Sequence, residues 1–568
     1  MRWGPEPLAG GGTRFSIWAP GVDTLTLEIE GADPLPMTRE ADGWFAADTD
    51  AGPGAHYRFR LPDGTAVPDP ASRGQASDVH GWSVVTDPAA YEWRETGWRG
   101  RPWTDAVIQE VHVGVLGGYA GVIDRLDAIA ATGFTAIELM PLAATGGMRN
   151  WGYDGVLPYA ANAAYGSPEE LKALVDAAHA RGLMVLLDVV YNHFGPDGNY
   201  LPAYAPNLFK PDVHTPWGGA IDFAREPVAR FFIDNALYWL GEMGFDGLRL
   251  DAVHAVGDNA FLDRLADEVR TAFPDRHVHL VLENEHNDPD RLAGSYDAQW
   301  NDDFHNVLHV LLTGETHGYY RDFAEAPQEK LARCLSEGFI YQGQGSPNQK
   351  GKPRGASSGH LSPIRFVSFL QNHDQIGNRA MGERLTRLTD PARLRAATAL
   401  LLLCPQIPLT FMGDEVGSEA PFMFFTDFHD ELADAVRNGR RGEFAGHPGF
   451  GDEEAREAIP DPNAPTTFEA SRPLPGPDAA AWQALYRELL TIRREQIVPL
   501  LADAMAIGAE VIGDRAVRAR WRLGEAVLTL AINLGDAPVA ATGEGERLFA
   551  LGEVGDTLPP ASFAALLA

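Results

Sequence analysis

Between residues 106 and 411 the sequence alternates eight times between a short apolar or β-branched run and a longer stretch, several of these longer stretches with helical spacing. The short runs are Ala106–Val113, Ala136–Met140, Met184–Val190, Gly247–Leu250, His279–Leu282, Ala298–Trp300, Ile364–Leu370 and Ile407–Phe411. Between them lie helix signals. Ahead of Pro168–His179, Ser167 stands where a cap belongs, with Pro168 at the first helical position and two acids in the first turn. Pro227 to Leu240 repeats the apolar helical spacing. Eight strand–helix alternations over such a length predict an α/β fold, a (β/α)8 (TIM) barrel with long insertions.

The flanks read differently. Residues 13–19, 24–30 and 56–61 alternate apolar and polar positions between Gly, Pro and Asp turns. That period-2 pattern predicts a small antiparallel sandwich. Residues 1–97 are therefore expected to form an N-terminal β-sandwich, an accessory domain of carbohydrate-binding type. Residues 98–500 are expected to form the catalytic barrel, with Leu485–Ile497 as its last helix. Residues 515–521 and 526–532 return to alternation, so 501–568 is expected to be a C-terminal β-sandwich. Pro68–Gly74 reads as a linker-like strap, and Pro460–Pro477 as an extended surface strap.

Composition narrows the function classes. A net charge of −33 argues against a nucleic-acid partner and against docking on anionic lipid, since both need basic surface. The 2 cysteines, Cys334 and Cys404, have no metal-ligand spacing and suggest buried, reduced thiols. The first residues, Met1-Arg-Trp-Gly-Pro-Glu-Pro, carry no apolar core, so a cytoplasmic protein is expected. Ala396–Met412 is the most membrane-like segment, but Pro405 and Pro408 interrupt it and it is short for a span. A buried helix leading into a buried strand suits it better. No cofactor or metal is implied.

Four acidic motifs follow the apolar runs. Asp188–His193, Gly247–Asp251, Val281–Glu283 and Asn372–Asp374 fall at the ends of candidate strands three, four, five and seven. In a (β/α)8 barrel that rim carries the reacting groups. A carboxylate just past a hydrophobic strand costs free energy unless something requires it there. Several such groups on one cleft suit glycosidic bond chemistry, which runs on paired carboxyls. Arg249 and Asp251 are two apart on one strand and point the same way. A guanidinium beside a carboxylate favours the ionised form that a nucleophile needs. A purely structural Arg–Asp pair would look the same. Glu283, against apolar walls and other acids, suits a general acid. Glu285 is its rival, and Glu283 is preferred because it sits at the strand end. Asp374 suits hydrogen bonds to sugar hydroxyls, with His373, His193 and Arg249 as donors. Tyr153, in Trp151-Gly-Tyr-Asp, offers an aromatic face for a pyranose ring. Asp188, His193, Asp251, Glu283 and Asp374 could also be imagined as a two-metal site, but no His-x-His or His-Glu-x-x-His spacing supports one.

As a set and in this order, the motifs resemble the four signature regions of the α-amylase superfamily of glycoside hydrolases. Longer strings resemble the maltooligosyltrehalose trehalohydrolases within it: Ile137–Pro141, Arg149–Gly155, Asp188–Tyr200, Trp300–His305, Leu312–Tyr320, Gln371–Arg379 and Pro421–Asp427. The resemblance implies a retaining mechanism, with Asp251 as nucleophile, Glu283 as acid/base and Asp374 as transition-state stabiliser. It implies Asp188, His193, Arg249, His254 and His373 as supporting residues around the sugar being cleaved, and Tyr153 as its stacking platform. Asp302, Asp303, Phe304 and His305, with Gln375 and Asn378, would line the cleft. The implied substrate is maltooligosyl trehalose and related α-1,4-glucans, cut next to the α,α-1,1-linked terminal pair, after a maltooligosyltrehalose synthase has acted. A 1,4-α-glucan branching or debranching enzyme is the alternative. The chain departs from the family's habit at Glu283-Asn-Glu and at Gly413-Asp-Glu. Retaining chemistry predicts carboxyls of Asp251 and Glu283 roughly 5–5.5 Å apart.

Overall fold

The computed structural model describes residues 2–215, 218–540 and 543–568, apart from the His214 side chain. Eight parallel strands close into a barrel in chain order. They are β1 (Ile108–Val111), β2 (Ala136–Leu139), β3 (Met184–Val189), β4 (Gly247–Leu250), β5 (His279–Leu282), β6 (Ala298–Trp300), β7 (Phe366–Ser368) and β8 (Ile407–Phe411). β8 closes on β1 with Leu409 beside Ile108. Every strand expected from the sequence is present. β1 and β7 are shorter than their apolar runs, because Trp103–Asp105 and Pro363–Arg365 form single 3-10 turns that lead into them.

Helices form where capping predicts them. In α1 (Pro168–His179) Ser167 accepts from the Glu170 N–H while the Glu170 side chain accepts from the Ser167 N–H. α2 (Glu226–Gly241) covers the 227–240 pattern. α3 (Pro391–Leu403) is the buried helix leading into β8. Among the described residues no helix is long and apolar enough to cross a membrane.

Strand parity decides what fills the barrel. Successive side chains alternate in and out, so residues two apart share the interior. Ile108, Ala136, Leu186, Val281, Trp300, Val367 and Leu409 pack in one buried cluster. The same parity, two residues further along β1 to β4, brings in Glu110, Glu138, Asp188 and Arg249. Glu110 pairs with Glu138 in register, and Asp188 with Arg249. The C-terminal end of the barrel is thus floored by charge on top of an apolar plug.

On the N-terminal side, a sheet built on Thr13–Trp18 and Trp44–Thr49 faces one built on Thr26–Ile29 and His56–Arg60. Phe15 meets Tyr57 across the gap, with ring centroids 4.6 Å apart. Trp3 docks this sandwich on α2, donating to the Pro227 carbonyl at 3.0 Å. At the other end a five-stranded antiparallel sheet, Met505–Gly513 to Ser562–Leu567, carries a two-stranded ribbon of Val539–Ala540 and Thr557–Leu558.

Two segments differ from expectation. Residues 68–74 are buried rather than a loose strap. Asp69 takes bonds from the Tyr57 hydroxyl and the Ala71 N–H, and Arg73 donates to the Pro5 carbonyl. Within Pro460–Pro477, Pro465–Ala470 is helical, with proline at its first position and Thr467 buried.

Candidate active site

Arg249 is the hub. Its side chain is fully buried on β4, with the guanidinium carbon 4.1 Å over the Trp300 ring. One terminal nitrogen donates to Asp188 at 2.7 Å and to Asp251 at 2.8 Å. The other lies 3.2 Å from Glu283. Three sequence-predicted acids from three strands therefore meet on one guanidinium. Coulomb attraction is strong where burial excludes water, so this cation holds the acids at the rim.

The three acids are not equivalent. Asp251 also accepts from the Asn192 side chain at 2.8 Å, so both its oxygens are engaged. Glu283 accepts the Ala252 N–H at 2.7 Å. Ala252 turns that N–H inward by adopting a left-handed conformation, φ 41°, which costs a residue with a Cβ about 1 kcal/mol or more. Burial pushes the Glu283 carboxyl well above the usual range; Arg249 opposes this, while Asp251, Asp374 and Asp302 add to it. Glu285, its rival, is exposed beside His254 and His286. Burial likewise lifts Asp188 to about 6 against the pull of Arg249.

The fourth motif arrives on a short helix, α4 (His373–Gly377), which lies between β7 and α3 in the chain. Asn372 caps it, bonding the Asp374 N–H at 2.9 Å, and Gln375 completes a capping box. Asp374 is more open than Asp188, Asp251 or Glu283, with 39% of its side chain exposed. Its Oδ1 lies 3.5 Å from His373 Nε2 and accepts from Asn378 at 3.3 Å. Tyr153 reaches in from the loop after β2. Its hydroxyl donates to Asp188 at 2.6 Å and meets His373 Nε2 at 2.8 Å.

The other expected site residues divide by burial. Asp302 is half-buried at the opening, within 3.5 Å of the Gln375 amide, and burial together with Asp374 lifts it to about 7. Asp303 and Phe304 are fully enclosed. Asp303 accepts from the Ile340 N–H and from Asn287, and pairs with Arg354 at 3.2 Å, so it anchors the loop over residues 340–354. His305 bonds the Leu370 carbonyl and Tyr320, and burial drops it to about 3. Of the four residues Asp302 to His305, Asp302 alone is not buried. The ring nitrogens of His193 face Asn192 and the Tyr153 carbonyl. His254 stands 3.9 Å from Glu285, off the Arg249 cluster. Among the described residues no group of three or more His, Cys, Asp or Glu side chains is arranged to hold a metal ion.

Comparison with known proteins gives this geometry a family. Residues 71–206 match the model for the alpha amylase catalytic domain, and residues 505–565 a domain of unknown function, DUF3459. A malto-oligosyltrehalose trehalohydrolase from Deinococcus radiodurans is 42% identical over 88% of this chain and 84% of its own. One from Arthrobacter ramosus is 40% identical over 95% of this chain and 96% of its own. The chain belongs to the malto-oligosyltrehalose trehalohydrolase family. A crystal structure from Salmonella typhimurium, described as an alpha amylase, superposes with a TM-score of 0.95 at 44% identity, covering 100% of this chain and 99% of the other.

Two acids at the trehalohydrolase-family site escaped the sequence reading. Glu110 and Glu138 lie inside strands, each 1% exposed. Both Glu110 oxygens bond His373, whereas neither Glu138 oxygen has a hydrogen-bond partner among the described residues. The signal was available, since each is an acid interrupting an apolar run. Strand ends, where a barrel carries its reacting groups, draw the eye before a strand interior does. Asn192, which fixes Asp251, was likewise visible only as part of a longer string.

Proposed function

We propose that the protein is a retaining glycoside hydrolase that cleaves the α-1,4-glucosidic bond next to the terminal trehalose unit of maltooligosyl trehalose. The products are trehalose and a maltooligosaccharide. Asp251 attacks the anomeric carbon. The bond from that carbon to the glycosidic oxygen breaks as Glu283 gives that oxygen its proton. Glu283 then takes a proton from water, the water oxygen bonds the anomeric carbon, and the Asp251 carboxylate leaves. Asp374 bonds sugar hydroxyls more tightly as positive charge develops on the ring.

The observation that carries the chemistry is the asymmetric sharing of Arg249. Asp251 sits in a direct hydrogen bond to that cation, which favours a charged nucleophile. Glu283 sits at 3.2 Å among other acids, which favours a held proton. The trehalose end of the substrate rests on what the full-length relatives are named for. The same reading puts the enzyme in the cytoplasm, taking its substrate from a synthase that builds the α,α-1,1 link at the end of a maltooligosaccharide.

Product analysis tests it. The protein is incubated separately with maltooligosyl trehalose and with plain maltooligosaccharide of equal length. The expected outcome is much faster release, with trehalose as the small product of the first reaction. Equal rates on both would mean a general amylase, and transfer to a sugar hydroxyl in place of water would mean a branching enzyme.

A further inference from the structure

His373 lies between the barrel floor and the cleft. Below it, Glu110 on β1 accepts the His373 backbone N–H at 3.0 Å through Oε2 and faces ring Nδ1 through Oε1. Above it, Nε2 meets the Tyr153 hydroxyl, whose single proton is already given to Asp188. A hydroxyl that has spent its proton can only accept, so Nε2 must donate. Nδ1 faces a carboxylate that has accepted the backbone N–H on its other oxygen. The bonds therefore call for a proton on each ring nitrogen.

We propose that Glu110 is a positioning residue of the site: its carboxylate holds His373 as a doubly protonated ring, so that Nε2 stays a donor aimed at Tyr153 and at the sugar bound beside it. The network then runs in one direction, from His373 through Tyr153 to Asp188 and Arg249. It ties the fourth motif to the guanidinium that holds Asp251. Asp374, 3.5 Å from Nε2, gains a neighbouring cation for the same reason.

Other charged groups face the ring from every side: Glu138 on β2, Asp188 on β3, Arg249 on β4, Asp374 on α4, and His112 just past β1. Trp151 and Trp300 pack against it with ring centroids at 5.4 and 6.1 Å. Burial works against charge here. Glu110 first, then Asp374, outweigh it and hold His373 at about 9, with Arg249 opposing. Burial instead leaves His112 neutral, down at about 4.

The activity arm of the test rests on the hydrolase reading above; the protonation arm does not. Nitrogen-15 NMR of histidine-labelled whole protein, without substrate, follows the His373 ring, identified by the signals lost in His373→Asn. Both ring nitrogens should stay protonated through neutral pH and titrate near 9. In Glu110→Gln the midpoint should fall by about 1–3 units, and the alkaline limb of kcat/KM should move to lower pH with it. Glu110→Asp should restore much of both. A neutral His373 at pH 7 in the unaltered protein overturns the proposal even if Glu110→Gln fails to fold. So does a Glu110→Gln protein with an unchanged midpoint, or with unchanged hydrolysis across the whole pH range. Failure to release trehalose, with the titration as expected, counts against the substrate reading alone.

Discussion

Two pairs of acids stand on neighbouring strands of the same barrel, Glu110 with Glu138 and Asp251 with Glu283, and their surroundings are opposite. The first pair is 1% exposed at both members. The second keeps 13% and 19% of its side chains open. The open pair shares Arg249, and both members find partners. In the enclosed pair only Glu110 finds one among the described residues, in His373, and burial with Glu110 and Asp188 as neighbours pushes Glu138 well above the carboxylate range. In each pair one carboxyl bonds a buried cation directly, while burial pushes the other well above the carboxylate range. In the cleft that division is what the proposed nucleophile and acid require. In the floor it fixes a histidine.

The largest effect is expected at Asp251. Asp251→Asn keeps the shape and removes the attacking oxygen's charge, so turnover should fall roughly 10⁴-fold or more on every substrate. Glu283→Gln should cost about 10²–10⁴-fold on the natural substrate, where the leaving oxygen must be protonated. A maltooligosyl fluoride needs no such proton, because fluoride leaves unaided. On it Glu283→Gln should lose far less than Asp251→Asn. Equal losses on both substrates would assign the two acids wrongly.

Arg249→Lys sharpens the comparison from the cation's side. Lysine brings one point charge in place of a fork and cannot reach Asp188, Asp251 and Glu283 together. Leaving buried carboxylates without their partner costs about 3–5 kcal/mol of stability. Denaturant unfolding should show that loss. It should shrink in an Asp188→Asn, Arg249→Lys double variant, which removes one of the stranded charges. An additive double variant would mean that Asp188 and Arg249 do not depend on each other.

The contrast between the pairs also explains what could be read from the sequence. All eight strands were legible, since apolar runs of this kind are fixed by local residue type. So were the acids of the motifs, because Asp251 and Glu283 each close an apolar run and Asp374 follows one a few residues on. The parity that points Glu110 and Glu138 inward was present too, but which of the two gains His373 depends on where α4 lands against β1, a contact across 263 positions of sequence. Asp303 and Phe304 looked like cleft residues beside Asp302. Helical geometry turns them into the core, which neighbouring letters do not reveal. The buried run 68–74 read as a strap because Pro, Asp and Gly favour turns wherever they lie, and its burial is imposed by Tyr57 and the Pro5 carbonyl.

Near pH 4 the smallest expected effect belongs to Glu138, and the sign of its growth with pH follows from linkage. Unfolded, the carboxyl titrates near its ordinary value of 4.5; folded, burial and the nearby acids keep the proton on to much higher pH. Below 4.5 both states hold the proton and pH has no leverage. Above it the unfolded chain releases the proton first, so this residue's contribution falls as pH rises, by at most about 1.4 kcal/mol per unit, until the folded midpoint is reached. Glu138→Gln has no proton to lose. Near pH 4 its stability should lie within about 1 kcal/mol of the unaltered protein, since one neutral polar group replaces another. Toward pH 8 the variant should gain steadily on the unaltered protein. Glu110→Gln should lack that rising gain, because the charge it removes is matched by His373. Parallel stability–pH curves for Glu138→Gln and the unaltered protein would mean that Glu138 is not the neutral member of its pair, and the division between the enclosed acids would have to be reversed.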